Sequence, residues 1–543
     1  MGGDCGQSLL VLIAVDAGEN LENVTSNRSM IINNSLRGKL CITLLTCDVR
    51  NNMDVFRITM LLAIEIGRCV QVSGPLLRTP RNNRGVYFRP LEINGPHTMG
   101  KESLASVLDD TADTVELLRS NGGRHPYPVP AEHTNWIDEV TSWRTSVSLS
   151  DLSHHQKDLY VEGPDALAPF IDLGINDFSG FEPGNAKQFV ACNEDGYLIG
   201  DAILFYLEDG LLKLTGTPIA PNWVAYTVEH GDYDVRVSAD ERYWDKDEPH
   251  ETFRYQLQGP HAVDVMEAAS DSALPDIPFF NIREISIAGH HLQALKHSMV
   301  AEPGFEFWGP WEDRHDVRDA IVAAGEEYGL RCLGEKSYKA QGQEKGWIAR
   351  PVPAIYGDEF SAYHEWLPAD TYESQSSLGG SFDPGDIEAY YLDPIELGYE
   401  RFIDWDRDFI GRDALREKAE EGARTKVSLV WNHEDILKLF GSLLEEGTPY
   451  KYFDLSEPYW SVFHYDAVTR DGDIVGVSKY FGYSYNEREV ISLAVIDSEV
   501  SDPGTEVSLV WGEPGGTSPN PAVEDHRQTE IRATVGPVPY TKD

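Results

Sequence analysis

Apolar and polar positions along the chain alternate between two periods, which predicts a mixture of strands and helices rather than either alone. The run LIGDAILFY (Leu198 to Tyr206) is apolar nearly throughout and predicts a buried strand. LLKLTGT, beyond the turn residues Glu208–Gly210, predicts its hairpin partner. HAVDVMEAAS and DVRDAIVAAGEEYG place apolar residues at helical spacing, and Gly329 ends the second of them. The segment GKESLASVLDDTADTVELLRS, directly after Met99, predicts a helix that would suit the start of a folded chain. Past about residue 424 the pattern shifts to short strands split by turn residues: TKVSLVWN, DIVGVSKYFGYSY, VISLAVI and TEVSLVWG. That stretch predicts a C-terminal β-barrel or sandwich, and the whole reads as α+β.

Length permits several domains with a sizeable core: there are 543 residues, 41% of them hydrophobic and 25% charged. The sign of the charge is unusual. Ninety Asp and Glu against 45 Lys and Arg leave a net charge of -45, which in dilute buffer opposes compaction by self-repulsion. At about 1 M salt the Debye length falls to roughly 3 Å, so such a surface stops repelling itself at a distance. The acid is spread through segments rich in Trp, Tyr and Phe, so the expectation is halophilic adaptation rather than an acidic disordered tail. Nucleic acid is not an expected partner, because binding a polyanion needs a basic footprint. Nor is a membrane: the mean hydropathy is -0.36, and no stretch approaches the roughly 20 apolar residues of a spanning helix.

Residues 1–98 depart from this pattern. They hold ten basic residues against eight acidic ones, so the rest of the chain carries all of the excess negative charge. Four of the six cysteines (Cys5, Cys41, Cys47, Cys69) also lie there. The apolar run Leu9 to Val15 follows Asp4 without a basic lead-in, which argues against a secretory signal. The segment could be an accessory domain, but it reads better as the product of a misplaced start. Cys192 and Cys332 in the remainder suit a reducing cytoplasm. The expected organisation is an N-terminal extension over 1–98, a main region over 99–423 and a β-domain over 424–543.

Common catalytic signatures are missing: there is no phosphate loop, dinucleotide fingerprint, H-E-x-x-H or G-x-S-x-G. No CxxC spacing occurs, and the neighbours His154-His155 and His290-His291 would point apart on a regular element, so no metal site is expected. What remains are glycine-bracketed polar and aromatic clusters: GFEPGNAKQ, YQLQGP, PGFEFWGP, GEKSYKAQGQEKGWI and DPIELGYERFIDWDRDFIGRDAL.

These clusters carry a resemblance. PGFEFWGP, then P-x-E-x-G some eighty residues on, then DFIGRDAL, resemble the glycine-cleavage T-protein (aminomethyltransferase) family, and GYSYNEREVISLAVID resembles its C-terminal domain. NWIDEVTSWRTSVSLSDLSHHQKDLYVEG, WLPADTYESQSSLGGSF and VEDHRQTEIRATVGPVPY are similar to the aryl-ether O-demethylases of that family, the vanillate and syringate type. Similarity runs from about Met99 to the C-terminus. It implies a multi-domain fold around a central folate pocket, with a C-terminal β-barrel, and a methyl transfer from a methoxy donor to N5 of tetrahydrofolate.

The resemblance also implies roles. Glu306 would bind the amino-pyrimidine edge of the pterin, with Gln256 as amide partner and Trp347 as aromatic wall. Taken alone, Trp347 could equally be a core residue. Tyr338 corresponds to the tyrosine placed against the substrate ether oxygen, and its ordinary pKa near 10 suits a proton donor to a departing phenolate. Tyr127 and His155 correspond to further substrate-side positions, though either could be a packed, hydrogen-bonded residue. In TGTPIAPNW, Thr217 stands opposite an arginine that engages a substrate carboxylate, which puts a benzoate substrate in doubt. The family's Asp-Asp pair meets Gly200 and Asp201, so the carboxylate used in aminomethyl transfer is expected to be absent.

Two other readings remain open. One is the aminomethyltransferase of glycine cleavage, which would need a lipoyl-protein partner. The other is a folate-binding regulatory protein without chemistry, for which the K-G-C-Y-type motif is missing.

Overall fold

The computed structural model describes four strands between residues 29 and 76, and residues 103–541 apart from 110, 112, 123–126 and 456–461. The chain forms two compact units, Met1–Met99 and Gly100–Asp543. In the first, strands Ser29–Leu36, Lys39–Asp48, Phe56–Ile64 and Arg68–Leu76 pair in sequence order as an antiparallel meander. The readings of Leu9 to Val15 and of a helix beginning at Met99 itself lie outside the described residues.

The second unit is α+β, as the two periods predict. Its opening segment is not one helix but two, Leu104–Asp109 and Thr114–Ser120. The second begins where the Asp113 carboxylate accepts the Val115 amide at 2.8 Å, and an N-cap of this kind starts a new helix instead of continuing an old one. The predicted hairpin is present as Leu198–Glu208 and Leu211–Gly216, joined through Gly210 at φ +77. The helix Arg314–Gly325 tightens into a 3-10 turn and stops at Gly329, whose φ of +72 only glycine adopts cheaply.

Two sheets build the body of this unit. A five-stranded sheet contains Lys157–Glu162, Leu211–Gly216, Leu198–Glu208 and Ala186–Cys192 in neighbouring positions, and a six-stranded sheet is centred on Gly304–Pro310, Thr252–Gln258 and Ser148–Asp151. From Arg424 onward six strands close into a barrel, in the order Arg424–Trp431, Glu489–Asp497, Asp473–Ser484, Asp466–Arg470, Glu506–Trp511 and Thr529–Gly536. Closure removes the sheet edges, and Trp431, Phe453, Phe481 and Trp511 fill the interior. Tyr480, at a register shift between Lys479 and Phe481, turns out of the barrel toward the body, where its ring lies against Gly342. A side chain at Gly342 would collide with that ring.

Candidate active site

A cavity of about 780 Å³ lies among the two sheets, the short helices over 335–345 and the barrel. Its wall includes Tyr127, His155, Thr217, Glu306, Tyr338 and Trp347, so six of the seven residues singled out from the sequence share one space. The seventh, Gln256, lies behind the wall, fully buried. Gln256 and Glu306 are directly opposite on paired strands, which puts their side chains on the same face and within contact of each other. Neither end of the Gln256 amide has a hydrogen-bond partner among the described residues, and the same holds for Gln341 in the wall. Buried amides left unsatisfied are expensive, and of the two only Gln341 borders the cavity.

Glu306 is one corner of a buried charge network that the sequence reading missed. Arg254 pairs with Glu306 and, at 3.0 Å, with Asp158; it also reaches the Thr215 hydroxyl at 3.1 Å. Lys213, fully buried against the rings of Trp308 and Phe205, lies 3.6 Å from Asp158. Burial and the neighbouring Arg254 push the Lys213 pKa down to about 7, even though Asp158 and Glu306 pull it up. Burial also works against an ionised Asp158, but Lys213, Arg254 and the Thr215 hydrogen bond outweigh it and hold the carboxyl below its ordinary range. Asp158, Lys213 and Thr215 come from one sheet, Arg254 and Glu306 from the other, so the network fixes the Glu306 carboxylate where the sheets meet. The alternation Arg254, Gln256, Gln258 was the available signal, because residues two apart on a strand share a face.

Tyr338 stands on a short helix, Glu335–Lys339, that a buried carboxylate anchors. Glu139, fully buried, accepts the Ser337 hydroxyl at 2.5 Å and the Gly334 amide at 2.8 Å, and its other oxygen takes the His133 and Thr134 amides. The Tyr338 hydroxyl lies 2.9 Å from His155 Nε2. Burial, together with His154 and the cations Arg254, Arg242 and Arg350, drives the His155 pKa well below its ordinary value, so the imidazole is neutral. Tyr127 stacks on His155 at 5.4 Å and also meets His154 at 4.7 Å. The two adjacent histidines therefore approach one ring from a turn, instead of pointing apart as on a regular element. His290 and His291 do diverge, toward Asp313 and Glu284 respectively.

On the opposite wall the Trp347 indole donates to the Tyr399 hydroxyl at 2.8 Å, and Tyr399 donates to Asp201 at 2.9 Å. Gln188 adds a second hydrogen bond to Asp201, at 2.7 Å. Burial raises the Asp201 pKa to about 6 against these hydrogen bonds. Trp347 is thus half-buried and tied into a polar chain, not a core tryptophan.

Residues 121–362 match the family model described as the GCVT N-terminal domain. The syringate O-demethylase of Sphingobium sp. (strain NBRC 103272 / SYK-6) is 41% identical over 444 residues, spanning 81% of this chain and 96% of that protein. The chain belongs to the glycine-cleavage T-protein family. It is a one-carbon transferase of that family. The sesamin methylene transferase of Sinomonas sp. (strain No.22) is 30% identical over 76% of this chain and 90% of its own length. The crystal structure of aminomethyltransferase T from Bartonella henselae shares the fold, with a TM-score of 0.51 at 16% identity over 78% of this chain and 94% of that one.

Within the T-protein fold one expectation needs correction. The sequence predicts that Gly200 removes the carboxylate of the Asp-Asp pair, but a side chain at Gly200 would point at Ile219 and Ala220 of the neighbouring helix, away from the cavity. Asp201, one residue on, faces the cavity because strand side chains alternate. A carboxylate is therefore present at this wall, and the Gly200 departure does not discriminate between demethylation and aminomethyl transfer.

Proposed function

We propose that this enzyme moves a methyl group from the ether oxygen of a methoxyaromatic donor to N5 of tetrahydrofolate. The observation that carries the reading is the Tyr338–His155 hydrogen bond, set in one cavity with Glu306. The syringate O-demethylase and sesamin methylene transferase named above, proteins whose names point to aryl ethers, support it.

Glu306 would hold the pterin, its carboxylate accepting from the amino-pyrimidine edge, with Gln256 packed beside it on the neighbouring strand and the unpartnered Gln341 amide in the wall filling the remaining polar positions. Trp347 and Tyr399 would flank it, with Asp201 beneath. When bound, tetrahydrofolate supplies the nitrogen that accepts the methyl group. Tyr127 orients the donor ring by stacking. With its proton on Nε2, neutral His155 donates to the Tyr338 hydroxyl oxygen and leaves the phenolic proton free for the ether oxygen. As the C–O bond breaks, Tyr338 gives that proton to the departing phenolate and is restored from solvent. The lining side chains exclude bulk water, which strengthens each of these contacts.

Aminomethyl transfer is the second reading, favoured by Asp201 in the cavity, and it would bring in a lipoyl protein. Incubation with tetrahydrofolate and a panel of methoxyaromatics tests both: 5-methyltetrahydrofolate is expected, and 5,10-methylenetetrahydrofolate formed only with an aminomethyl-lipoyl donor would replace the first reading by the second. The net charge of -45 and the isolated thiols Cys192 and Cys332 further favour work in a salt-rich, reducing cytoplasm. Residues 1–98 we take to be dispensable for this activity.

A further inference from the structure

The barrel reaches the cavity through one strained residue. Tyr480 stands at the register shift between Lys479 and Phe481 with φ +32, a left-handed backbone that a bulky side chain adopts only under constraint. The strand pairs with Glu489–Asp497 on both sides of this point, so Tyr480 cannot relax without breaking the ladder. A bulge of this kind re-aims a side chain. Lys479 stays buried at 2% exposure, while Tyr480 leaves the barrel and joins the wall of the cavity. Its hydroxyl donates to the Lys339 carbonyl at 3.1 Å. Lys339 is the last residue of the helix that carries Tyr338, and the carbonyls at a helix C-terminus need partners from outside it.

The same helix is held at its start by Glu139, through the Gly334 amide and the Ser337 hydroxyl. Tyr338 is therefore bracketed by an anchor from the body on one side and an anchor from the barrel on the other. The segment that follows is gripped as well. The Tyr480 ring fits because Gly342 has no side chain to meet it. Glu344, 7% exposed, accepts from Trp143 Nε1 at 2.9 Å and Arg144 Nε at 3.0 Å in the body, and from the Ser484 hydroxyl at 3.0 Å and Asn486 Nδ2 at 2.9 Å at the end of the barrel strand. We propose that Tyr480 is a positioning residue for the chemical step: through the Lys339 carbonyl it holds the Tyr338 hydroxyl against the ether oxygen of the donor. His155 orients the hydroxyl from the cavity side, whereas Tyr480 sets the backbone that delivers the ring. The inference rests on Tyr338 being the proton donor, and it makes the barrel part of the catalytic apparatus. Strain kept at a residue that touches this helix is the form such a role takes, because the surrounding ladder must over-determine the conformation.

Tyr480→Phe, which loses only the hydroxyl, tests this in the full chain in molar potassium chloride. Its kcat should fall about 5- to 100-fold, since an ångström of misplacement costs as much as about 100-fold, while tetrahydrofolate affinity and melting temperature stay near wild type. Gly342→Ala disturbs the same contact from the other side and should lower kcat likewise. Added to Tyr338→Phe, Tyr480→Phe should cost nothing more, because a residue that acts through Tyr338 then has nothing left to position. Amide hydrogen exchange over residues 335–345 should rise in Tyr480→Phe and stay unchanged in the barrel strands. A kcat for Tyr480→Phe equal to wild type would overturn the proposal. So would losses that multiply in the double variant, a loss of folate affinity in place of kcat, or unchanged exchange over 335–345. Raised exchange in Tyr480→Phe together with a Tyr338→Phe variant that transfers at the wild-type rate would leave the anchor standing and remove the proton-transfer reading instead.

Discussion

The Tyr338 hydroxyl lies 2.9 Å from Nε2 of a His155 imidazole that its surroundings keep neutral. A protonated histidine here would repel nearby cations and add a charge to the cavity. A neutral one with its proton on Nε2 donates to the phenol oxygen and so does not compete for the phenolic proton. Tyr338→Phe keeps the ring and removes the hydroxyl, so kcat should fall about 10²- to 10⁴-fold while tetrahydrofolate affinity stays near wild type. Single-turnover formation of 5-methyltetrahydrofolate reads the first and titration the second. Transfer at the wild-type rate would remove Tyr338 from the chemical step.

Glu306→Gln should show the opposite phenotype. Replacing one carboxylate oxygen by an amide donor that faces the pterin's own donors should weaken folate binding by about 1.5–3 kcal/mol. Arg254 keeps Asp158 and Thr215 as partners, so the variant should remain folded. Unchanged folate affinity would sink the assignment of Glu306.

The raised pKa of Asp201 gives a pH signature. Its carboxyl moves from an ordinary value of 3.8 to about 6 on folding, so the folded state binds this proton more tightly. The resulting stabilisation is complete below the unfolded value and is lost as pH rises through about 6. Asp201→Asn escapes ionisation, and its melting temperature relative to wild type should therefore climb between pH 5 and pH 7.5. A difference that stays flat across that range would show that Asp201 is not perturbed.

Salt should control the fold. The net charge of -45 predicts loss of structure in dilute buffer and recovery in molar potassium chloride, followed by circular dichroism during dialysis. An unchanged melting temperature at low salt would overturn the halophilic reading.

A chain beginning at Met99 should fold and turn over like the full-length protein. The second compact unit starts at Gly100, and every candidate site residue lies within it. Insoluble expression of the shortened chain would mean that residues 1–98 are needed.

Local pattern was enough to determine the elements: the hairpin from Leu198, the helices at Ala262 and Arg314, and the short strands past Arg424 all follow from spacing and turn residues within a few positions of each other. The break between Leu104–Asp109 and Thr114–Ser120 was missed because apolar spacing continues across it, while the Asp113 cap acts through one hydrogen bond. Motif likeness carried Glu306, Tyr338 and Trp347 into one site, since each sits in a cluster of unusual composition. Arg254, Lys213 and Asp158 stand in ordinary strand sequence, and nothing local tells a buried ion pair from a solvated one. Only the packing of two sheets face to face brings them together and takes them out of water. The same holds for Gly200 and Asp201: the letters are adjacent, but which of them faces the cavity depends on the register of the strand against the helix at Ile219–His230.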